Sequence, residues 1–470
     1  MIIYDYLASR GFDTIDRDFY NRIDVWRSWF DGDVRNFHSF SVFNGQKRVQ
    51  CRRYSVGMAK KVSEDWASLL MNEKVKVTLE GEAEQAAYDA VTDDNAFAVK
   101  SNEAQELKAS RGTVAYVCRA ENAVISSDGR IIPSAGARIR IDYVTAENIY
   151  PLSWENGYVS ECAFAKHAVV GGDPYLFVTI HLLQDGEYVI ENHLFAIGKG
   201  GSLTEVDLTD VRGYESIPPV VFTGSADRQF VIDRLNIVNN LDPSSPMGIS
   251  VYANCIDQLK GVDIAYDSYV NEFVLGKKRI IVKPEATKDL DGQPIFDIND
   301  VTFYVLPEDG ASGSVVEPID MALRTNEHSA GLQDMLNELS AKCGFGEQHY
   351  KWTNGAVATA TQIISQNSSL FRNVKKHEII LRAVLEELAR IILRMENAYR
   401  GTGLNEDVEI SIDFDDSIIE DKATEFARDL QMLSAGILNA YEFRMKWMNE
   451  DEETAKAALP QMNDLLGGGE

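Results

Sequence analysis

The sequence predicts an α+β subunit that is mainly helical. The first observation is a stretch from Thr359 to Glu396 without Gly or Pro, whose apolar residues recur every three or four positions and predict one buried face. At the rise of an α-helix it would be on the order of 57 Å long. The second observation is a block of alternating apolar and polar residues between 112 and 218, typical of half-buried strands. The third is a set of shorter helical patterns on both sides of that block.

Length and composition place the chain among ordinary globular proteins. Its 470 residues are 45% hydrophobic and 25% charged, which suits about two to four domains with a large core. No apolar run reaches the length of a membrane span, and the N-terminus lacks a basic segment followed by an apolar one. We therefore expect a cytosolic product that contacts no membrane. The five cysteines lie far apart without a Cys-x-x-Cys pair, which favours reduced, structural thiols.

The formal net charge of −27 is the most extreme global property of the sequence. Affinity for a nucleic-acid backbone rests mostly on Lys and Arg, so this charge argues against tight DNA binding. Two interpretations remain open. The charge provides solubility, or the surface has to lie close to DNA without binding it.

Residues 1–240 predict an α/β domain with a mostly antiparallel sheet. Helical periodicity dominates the first 111 residues, and the period then changes to two, with turns such as Gln184–Gly186 between the segments. The predicted helices span 13–30, 55–72, 82–97 and 101–111. The predicted strands span 75–79, 114–118, 138–144, 158–165, 175–182 and 188–195. A segment rich in Pro, Gly and Ser, 239–248, then acts as a hinge.

The second half of the chain predicts a pair of helices with a small insert between them. Helical patterns at Ile249–Leu275 and Arg324–Lys342 flank a β-containing segment, Lys278–Pro318, so this insert has to project from the tip of the helix pair. A break at Cys343–Gly346 and a polar, aromatic loop, Glu347–Gly355, lead into the long helix. Beyond it we expect a strand at 408–414 and helices at 422–434 and 439–450.

The sequence contains no convincing enzymatic motif. The acidic residues of 413–421 lack the Gly at the sixth position of an EF-hand loop, and a helix N-terminus, which favours acids, is the simpler interpretation. The histidines form no HxxxH or HExxH pair, and neither a Gly-x-Ser-x-Gly elbow nor a phosphate-binding Gly-x4-Gly-Lys-Ser/Thr loop is present. We therefore expect no enzyme activity, no cofactor and no metal. A metal-dependent nuclease built on the acidic residues ranks well behind a structural role.

A basic patch lies within the long helical pattern. Arg372, Lys375 and Lys376 are close together and precede Glu378. Acidic and basic residues four positions apart further along predict ion pairs on the same helix. We expect these four residues to form a solvated or intersubunit face rather than a DNA contact.

The order of these parts resembles that of the portal proteins of tailed phages with Gram-positive hosts. The resemblance covers nearly the whole chain and is weaker over 120–240 and at the C-terminal end. The segments that carry it are Met58–Glu73, Asn254–Ser268, Asn271–Arg279, Leu339–Gly346, Thr359–Thr361, Phe371–Glu378 and Phe414–Lys422.

The resemblance implies a cyclic ring of about twelve subunits at one capsid vertex. A terminase motor would pump double-stranded DNA through its channel, and the DNA would later leave by the same route. It also implies contacts with terminase, a head–tail adaptor, and the major capsid and scaffolding proteins, with assembly in the host cytoplasm and a final place in the virion. The alternative is a capsid- or tail-associated structural interaction protein without a channel role.

By the same resemblance the chain divides into named parts. They are an α/β wing (1–240), a stem helix (241–276), a β-containing clip (277–320), a second stem helix (321–343), a tunnel loop (344–358), a long, kinked tunnel and wing helix (359–400) and a helical crown (401–470).

Residues of the tunnel loop and the stem helices are the candidate sites. The resemblance implies that the loop faces the channel with Glu347, His349, Tyr350, Lys351, Trp352 and Asn354. The stem-helix candidates are Asp257, Lys260, Asp263, Glu327, Asp334 and Glu338. A second interpretation of Tyr350 and Trp352 is that they pack against neighbouring subunits, and the two interpretations are compatible.

Overall fold

Helices outweigh strands in the structure, which is a computed structural model. They make up 44% of it, against 26% for strands, so the mainly helical mixture of helices and strands is confirmed. The structure describes residues 3–43, 45–72, 75–276, 279–282, 303–305, 316–319, 322–353, 356–359, 368–414, 422–448 and 450–458.

The N-terminal third is built on helices with aromatic buried faces. The helices are α1 (Ile3–Ser9), α2 (Arg17–Phe30), α3 (Arg35–His38), α4 (Met58–Leu70), α5 (Glu82–Asp94) and α6 (Phe97–Arg111). At the start of α2, the Asp16 carboxylate accepts from the Asp18 N–H and so satisfies a terminal donor. Phe19 and Trp26 lie on the buried face of α2, and Trp66 lies on that of α4, as their helical spacing predicts.

The strands of this region form two antiparallel sheets and three small pairs. They are β1 (Ser39–Phe43), β2 (Arg48–Arg52), β3 (Lys76–Leu79), β4 (Thr113–Glu121), β5 (Val124–Ile125), β6 (Ile131–Ile132), β7 (Arg138–Thr145), β8 (Ile149–Glu155), β9 (Tyr158–Val170), β10 (Asp173–Gln184), β11 (Glu187–Ile197), β12 (Leu203–Val206), β13 (Val220–Phe222) and β14 (Phe230–Arg234). One sheet has the order β12-β11-β10-β9-β8 with β13 beside β11, and the other has the order β14-β4-β7. The predicted antiparallel character is confirmed.

The second half contains the predicted helix pair and a long helix. The helices are α7 (Ile256–Leu275), α8 (Thr325–Lys342), α9 (Ser368–Met395, continued by a π-helical turn over Glu396–Arg400), α10 (Lys422–Ser434), α11 (Ala440–Met448) and α12 (Glu452–Ala457). The strands are β15 (Arg279–Val282), β16 (Phe303–Val305), β17 (Val316–Ile319), β18 (Tyr350–Thr353), β19 (Ala356–Thr359) and β20 (Ile410–Asp413). β15 pairs with β16 and β17, so the insert between α7 and α8 contains a sheet, as predicted.

Two predicted helix starts are wrong. The backbone before Ile256 packs on α6 instead of forming a helical turn, since the Val251 N–H donates to the Ala109 carbonyl at 2.9 Å. The long helix does not begin at Thr359, because Thr359 is the last residue of β19 and pairs with Tyr350. Residues 360–367 lie outside the described part, and α9 begins at Ser368. The absence of Gly and Pro permits a helix without imposing one.

The chain returns to the N-terminal region after α9. β20 pairs antiparallel with β3, with Ile412 opposite Val77, and Val408, Ile412 and Phe414 belong to the main hydrophobic core. The segment up to Phe414 is therefore packed on the N-terminal region, although the sequence predicted a separate piece from residue 401.

One large core joins the N-terminal helices to the helix pair and α9. Its fully buried members include Trp66, Tyr116, Leu339, Phe345 and Leu381. A second core lies between α1 and the larger sheet and contains Leu7, Ile180 and Phe195. In the described part of the chain no helix has the length and hydropathy that a membrane span requires.

Candidate functional site

The helices α7 and α8 form an antiparallel pair, which we call the stem. Near the core, the Gln258 side-chain amide donates to Glu338 at 3.0 Å. At the opposite end, Glu272 forms an ion pair with Arg324 at 2.8 Å. The helices come close between these contacts, because a Cβ added to Gly261 would lie 3.3 Å from the Met335 sulfur. The stem is thus tied at both ends by polar contacts.

A buried carboxylate attaches the stem to the N-terminal region. Asp263 of α7 accepts from the Val56 N–H at 2.8 Å and from the Ser55 hydroxyl at 3.0 Å. The His38 Nε2 lies 3.0 Å from the same carboxylate. Because the His38 Nδ1 accepts from the Val34 N–H, Nε2 carries the proton and donates to Asp263. This carboxylate is well satisfied, as a buried charge must be.

A tight turn ends α8 and directs the chain back toward the core. The Phe345 N–H donates to the Ser340 carbonyl and the Gly344 N–H donates to the Ala341 carbonyl, which is a Schellman motif with Gly344 at φ +91°. A Cβ at Gly344 would lie 3.2 Å from the Trp66 ring. The predicted break is confirmed at this position, since a left-handed residue in close contact favours Gly.

The residues after this turn are buried in the subunit's own core. The His349 ring stacks on Phe345 with 4.4 Å between ring centroids. Tyr350 is fully buried and its hydroxyl donates to Asp65 at 2.9 Å. Burial raises the pKa of Asp65, but contact with His349 and hydrogen bonds from Lys61 and Tyr350 lower it more, so the pKa lies below its usual value. Burial, reinforced by Asp65, raises the pKa of Tyr350.

The predicted tunnel loop is a β-hairpin, β18–β19, held along the stem. The Gln333 side chain of α8 donates to the Tyr350 carbonyl and accepts from the Trp352 N–H, both at 2.8 Å. The Trp352 ring makes edge contacts with Tyr266 and Tyr269 of α7, with centroid distances of 5.8 and 6.1 Å. The hairpin is therefore anchored to both stem helices.

These contacts correct part of the prediction of which loop residues face the channel. His349 and Tyr350 are buried inside the subunit and do not face a channel in this structure, because the core around Trp66 and Asp65 takes up both rings. Trp352 is half-buried against the same subunit's stem. Glu347 and Lys351 are exposed, and Asn354 lies outside the described residues.

The stem candidates divide into one structural residue and several surface residues. Asp263 is buried, whereas the exposed candidates are Asp257, Glu327, Asp334 and Glu338. The half-buried Lys260 forms an ion pair with Asp257 at 3.0 Å.

The basic patch on α9 is only partly available to a neighbouring subunit. Arg372 and Lys376 are exposed. Glu378 is 6% exposed and forms an ion pair with Lys375 at 3.0 Å. Behind the patch, burial lowers the pKa of His377 to about 3, and its Nδ1 accepts from a backbone N–H of the N-terminal region. An intersubunit role for Glu378 is therefore unsupported, because its side chain is covered by its own subunit.

Two residues that position the hairpin, Gln333 and Asp65, were not predicted. Asp65 and Tyr350 are 285 positions apart in the chain, so no spacing pattern links them. The acidic residues 415–421 lie outside the described residues. Within the part that is described, no three His, Cys, Asp or Glu side chains are grouped so that they could hold a metal ion.

Comparisons with known proteins give one family. Residues 12–459 match the model of the family described as phage portal protein, SPP1 Gp6-like. No curated protein matches the chain. Among solved structures, the chain is similar to one in the virion of a native gene transfer agent particle, with 11% identity and a TM-score of 0.40. It is also similar to one in the neck of such a particle computed with C12 symmetry, with 12% identity and a TM-score of 0.42. Each covers 92% of this chain and 94% of the other. Because the family model extends over all but the two ends of the sequence, the chain belongs to the phage portal protein family, SPP1 Gp6-like.

Proposed function

We propose that this chain forms the ring at one capsid vertex through which double-stranded DNA is packaged and later released. The family match over residues 12–459 carries the proposal. The same ring serves as a docking platform for terminase on the outside and, once the head is full, for a head–tail adaptor. Its role is that of a conduit, and the chemical energy for DNA movement comes from a separate motor chain.

The surface of the single subunit is consistent with assembly. The stem exposes Ile264, Phe273 and Val274 of α7 by 46%, 43% and 45%, and α9 exposes Ile379 by 66%. Large apolar side chains on long helices are common where subunits pack side by side. A ring of more than two subunits requires a head-to-tail contact, in which two different faces of each subunit meet.

The β18–β19 hairpin is the segment that we propose to narrow the channel. Gln333 and the Trp352 contacts hold its first strand, so this strand has a defined direction relative to the stem. Lys351 is exposed on the first strand. The buried His349 and Tyr350 anchor the hairpin to the core. Passing DNA would contact only the hairpin residues that follow them in the chain.

Replacement of the hairpin by a flexible linker tests this proposal. In the variant, a short Gly linker replaces Lys351–Ala358, which leaves His349 and Tyr350 in the core. In the control, the same linker lengthens the exposed turn at Gly171–Gly172 between β9 and β10. Procapsids assembled with either protein are assayed for ring integrity and packaged DNA.

We expect intact rings from both proteins and a loss of packaged or retained DNA with the hairpin variant alone. Normal packaging by the hairpin variant would show that the hairpin is not required for DNA packaging. Normal packaging by procapsids that lack the protein altogether would favour an interaction protein without a channel role.

A further inference from the structure

The β1–β2 hairpin projects from the N-terminal region with little cover. Within the described part of the chain, Ser39–Phe43 and Arg48–Arg52 pair with each other and with no further strand, and nearly every residue of both strands is exposed. An isolated two-stranded hairpin is marginally stable in water. Both of its outer edges also present backbone groups that another strand could pair with. These properties suit a segment that is completed by a partner.

The hairpin lies in the most basic stretch of a very acidic chain. Residues 34–63 contain seven Lys and Arg and no Asp or Glu. The whole chain has 46 Lys and Arg against 73 Asp and Glu, so removing these seven leaves 39 against 73. The remainder of the subunit is therefore even more acidic than the total of −27 indicates.

The arginines of β2 and of the residue that follows it have no acidic partner among the described residues. In the part of the chain that the structure describes, no carboxylate lies within ion-pair distance of Arg48, Arg52 or Arg53. Arg48 donates to the Ser41 hydroxyl at 3.3 Å. The Arg53 guanidinium lies over the Phe37 and Phe40 rings, 4.3 and 4.8 Å from their centroids. Cations held on aromatic rings without an acidic partner remain available to an external carboxylate.

Apolar side chains accompany these cations. Phe43 is 62% exposed, Val42 is 47% exposed and Val49 is 37% exposed. Val42 and Val49 are directly opposite in the register and share one face of the hairpin, whereas Phe43 is opposite Arg48 and shares the other face with it. A face that combines apolar side chains with arginines matches the composition of protein–protein interfaces.

The root of the hairpin is fixed to the stem. The Tyr54 N–H donates to Asp267 at 3.0 Å, and Asp263 binds His38 just before β1 and Ser55 just after β2. Both ends of the hairpin are thus clamped to α7, and its direction is set by the stem.

We propose that the β1–β2 hairpin is an arm that binds the acidic surface of a second copy of this chain. The inference rests on the proposed ring, in which subunits of charge −27 repel one another. A cationic arm laid on the next subunit offsets this repulsion at the interface, where charges are partly buried and salt screens them least. The apolar residues and free strand edges favour a protein partner over DNA, which offers neither an apolar face nor a strand to pair with.

Cys51 provides a direct test without substitution. It is half-buried on β2, whereas the other four cysteines, Cys118, Cys162, Cys255 and Cys343, are buried. A thiol-reactive benzophenone is attached to Cys51 in protein prepared with either nitrogen-14 or nitrogen-15, and the two preparations are mixed before assembly and irradiated. Cross-linked peptides of mixed isotope come from two subunits and are identified by mass spectrometry.

We expect mixed-isotope cross-links from Cys51 to an acidic segment of the neighbouring subunit. Intact rings whose Cys51 cross-links all lie within one subunit would overturn the arm and leave the portal function standing. Cross-linking to an added DNA duplex in place of protein would also overturn it, in favour of a nucleic-acid contact. Failure to form any assembly would contradict both the arm and the ring.

Reversing the charge of two arm arginines tests the same contact independently, through the protein concentration required for assembly. The double variant Arg48→Glu with Arg52→Glu changes only exposed side chains of the arm, and the control pair Lys199→Glu with Arg212→Glu changes the net charge equally at exposed sites on the body. We expect the protein concentration for half-assembly to rise at least about tenfold for the arm variant, because the new acids face an acidic neighbour. The control should assemble as the unmodified protein does. Equal assembly by all three proteins would contradict the proposal.

Discussion

The His38 imidazole and the Asp263 carboxylate lie 3.0 Å apart, although 225 positions separate them in the chain. Both side chains are almost completely buried, with 2% and 4% of their surface exposed. The pair joins the N-terminal region to the stem at the place where the β1–β2 hairpin leaves the body. It therefore couples the stem, the core and the arm.

Asp263→Ala should destabilise the subunit by about 3–5 kcal/mol, because the His38, Ser55 and Val56 donors would lose their buried acceptor. Asp263→Asn should cost less, since its amide oxygen still accepts. The control is Asp257→Ala, an exposed carboxylate on the same helix, which should change the free energy of unfolding by less than about 0.5 kcal/mol. Urea unfolding measures all three. Equal losses for Asp257→Ala and Asp263→Ala would show that the pair does not hold the junction.

Tyr350→Ala and Lys351→Ala should separate stability from function within two neighbouring residues. Tyr350 is fully buried, and its truncation should cost about 3–5 kcal/mol. Lys351 is exposed, so its loss should leave stability unchanged and affect only the DNA packaged by assembled procapsids. Thermal unfolding and a packaging assay are the two measurements. A stable Tyr350→Ala protein would contradict the buried position of that ring.

Acid should loosen the outer end of the stem. The hydrogen bonds from the Arg324 side chain and its backbone N–H hold the pKa of Glu272 at about 2, below the ordinary value of 4.5. Because the folded pKa is the lower one, the stabilising effect is fully present above pH 4.5 and is lost as the pH falls toward 2. Hydrogen exchange in the last turn of α7 should be slower in the unmodified protein than in Glu272→Gln at neutral pH.

The difference in hydrogen exchange between the unmodified protein and Glu272→Gln should disappear as the pH falls from 4.5 toward 2. Asp334→Asn, a change at an exposed acid in the middle of α8, is the control and should exchange like the unmodified protein at every pH. If the exchange rates of the unmodified protein and Glu272→Gln still differ below the pKa of Glu272, the Glu272–Arg324 ion pair does not cause the difference.

Local patterns predicted the helices well and the contacts between distant segments poorly. The prediction for α10 agrees with the structure over Lys422–Ser434, and the end of α8 was found because Gly344 marks a helix stop within its own neighbourhood. The sequence identifies Asp263 only as a charged residue of a predicted stem helix. Its partners are more than two hundred positions away, and no periodicity carries that information.

The hairpin β18–β19 shows a second limit of prediction from local sequence. The sequence predicts a polar, aromatic loop over Glu347–Gly355, and the family resemblance implies that its side chains face the channel. The structure buries Tyr350 and attaches Trp352 to the stem, since Gln333 supplies backbone partners and Asp65 supplies an acceptor for the phenol. Tertiary contacts thus outweigh local polarity at this site.

Free double-stranded DNA should bind the protein weakly. The charge of −27 per chain repels a duplex on average, and screening limits that repulsion to about 8 Å at physiological ionic strength. In the proposed ring a neighbouring subunit would cover the cationic arm, so the arm would add no binding site for DNA. Fluorescence anisotropy with a labelled duplex should give a dissociation constant weaker than about 1 μM. Sub-micromolar affinity at that salt concentration would contradict a channel that DNA passes without binding.

Electron microscopy of the purified protein under assembly conditions tests the portal function most directly. A portal subunit should appear as closed rings with a central channel, about twelve-fold by resemblance to the family. Class averages along and across the ring axis should show the stem as a narrow part of the ring. Fields that contain only monomers or dimers, or assemblies without a central channel, would contradict the account.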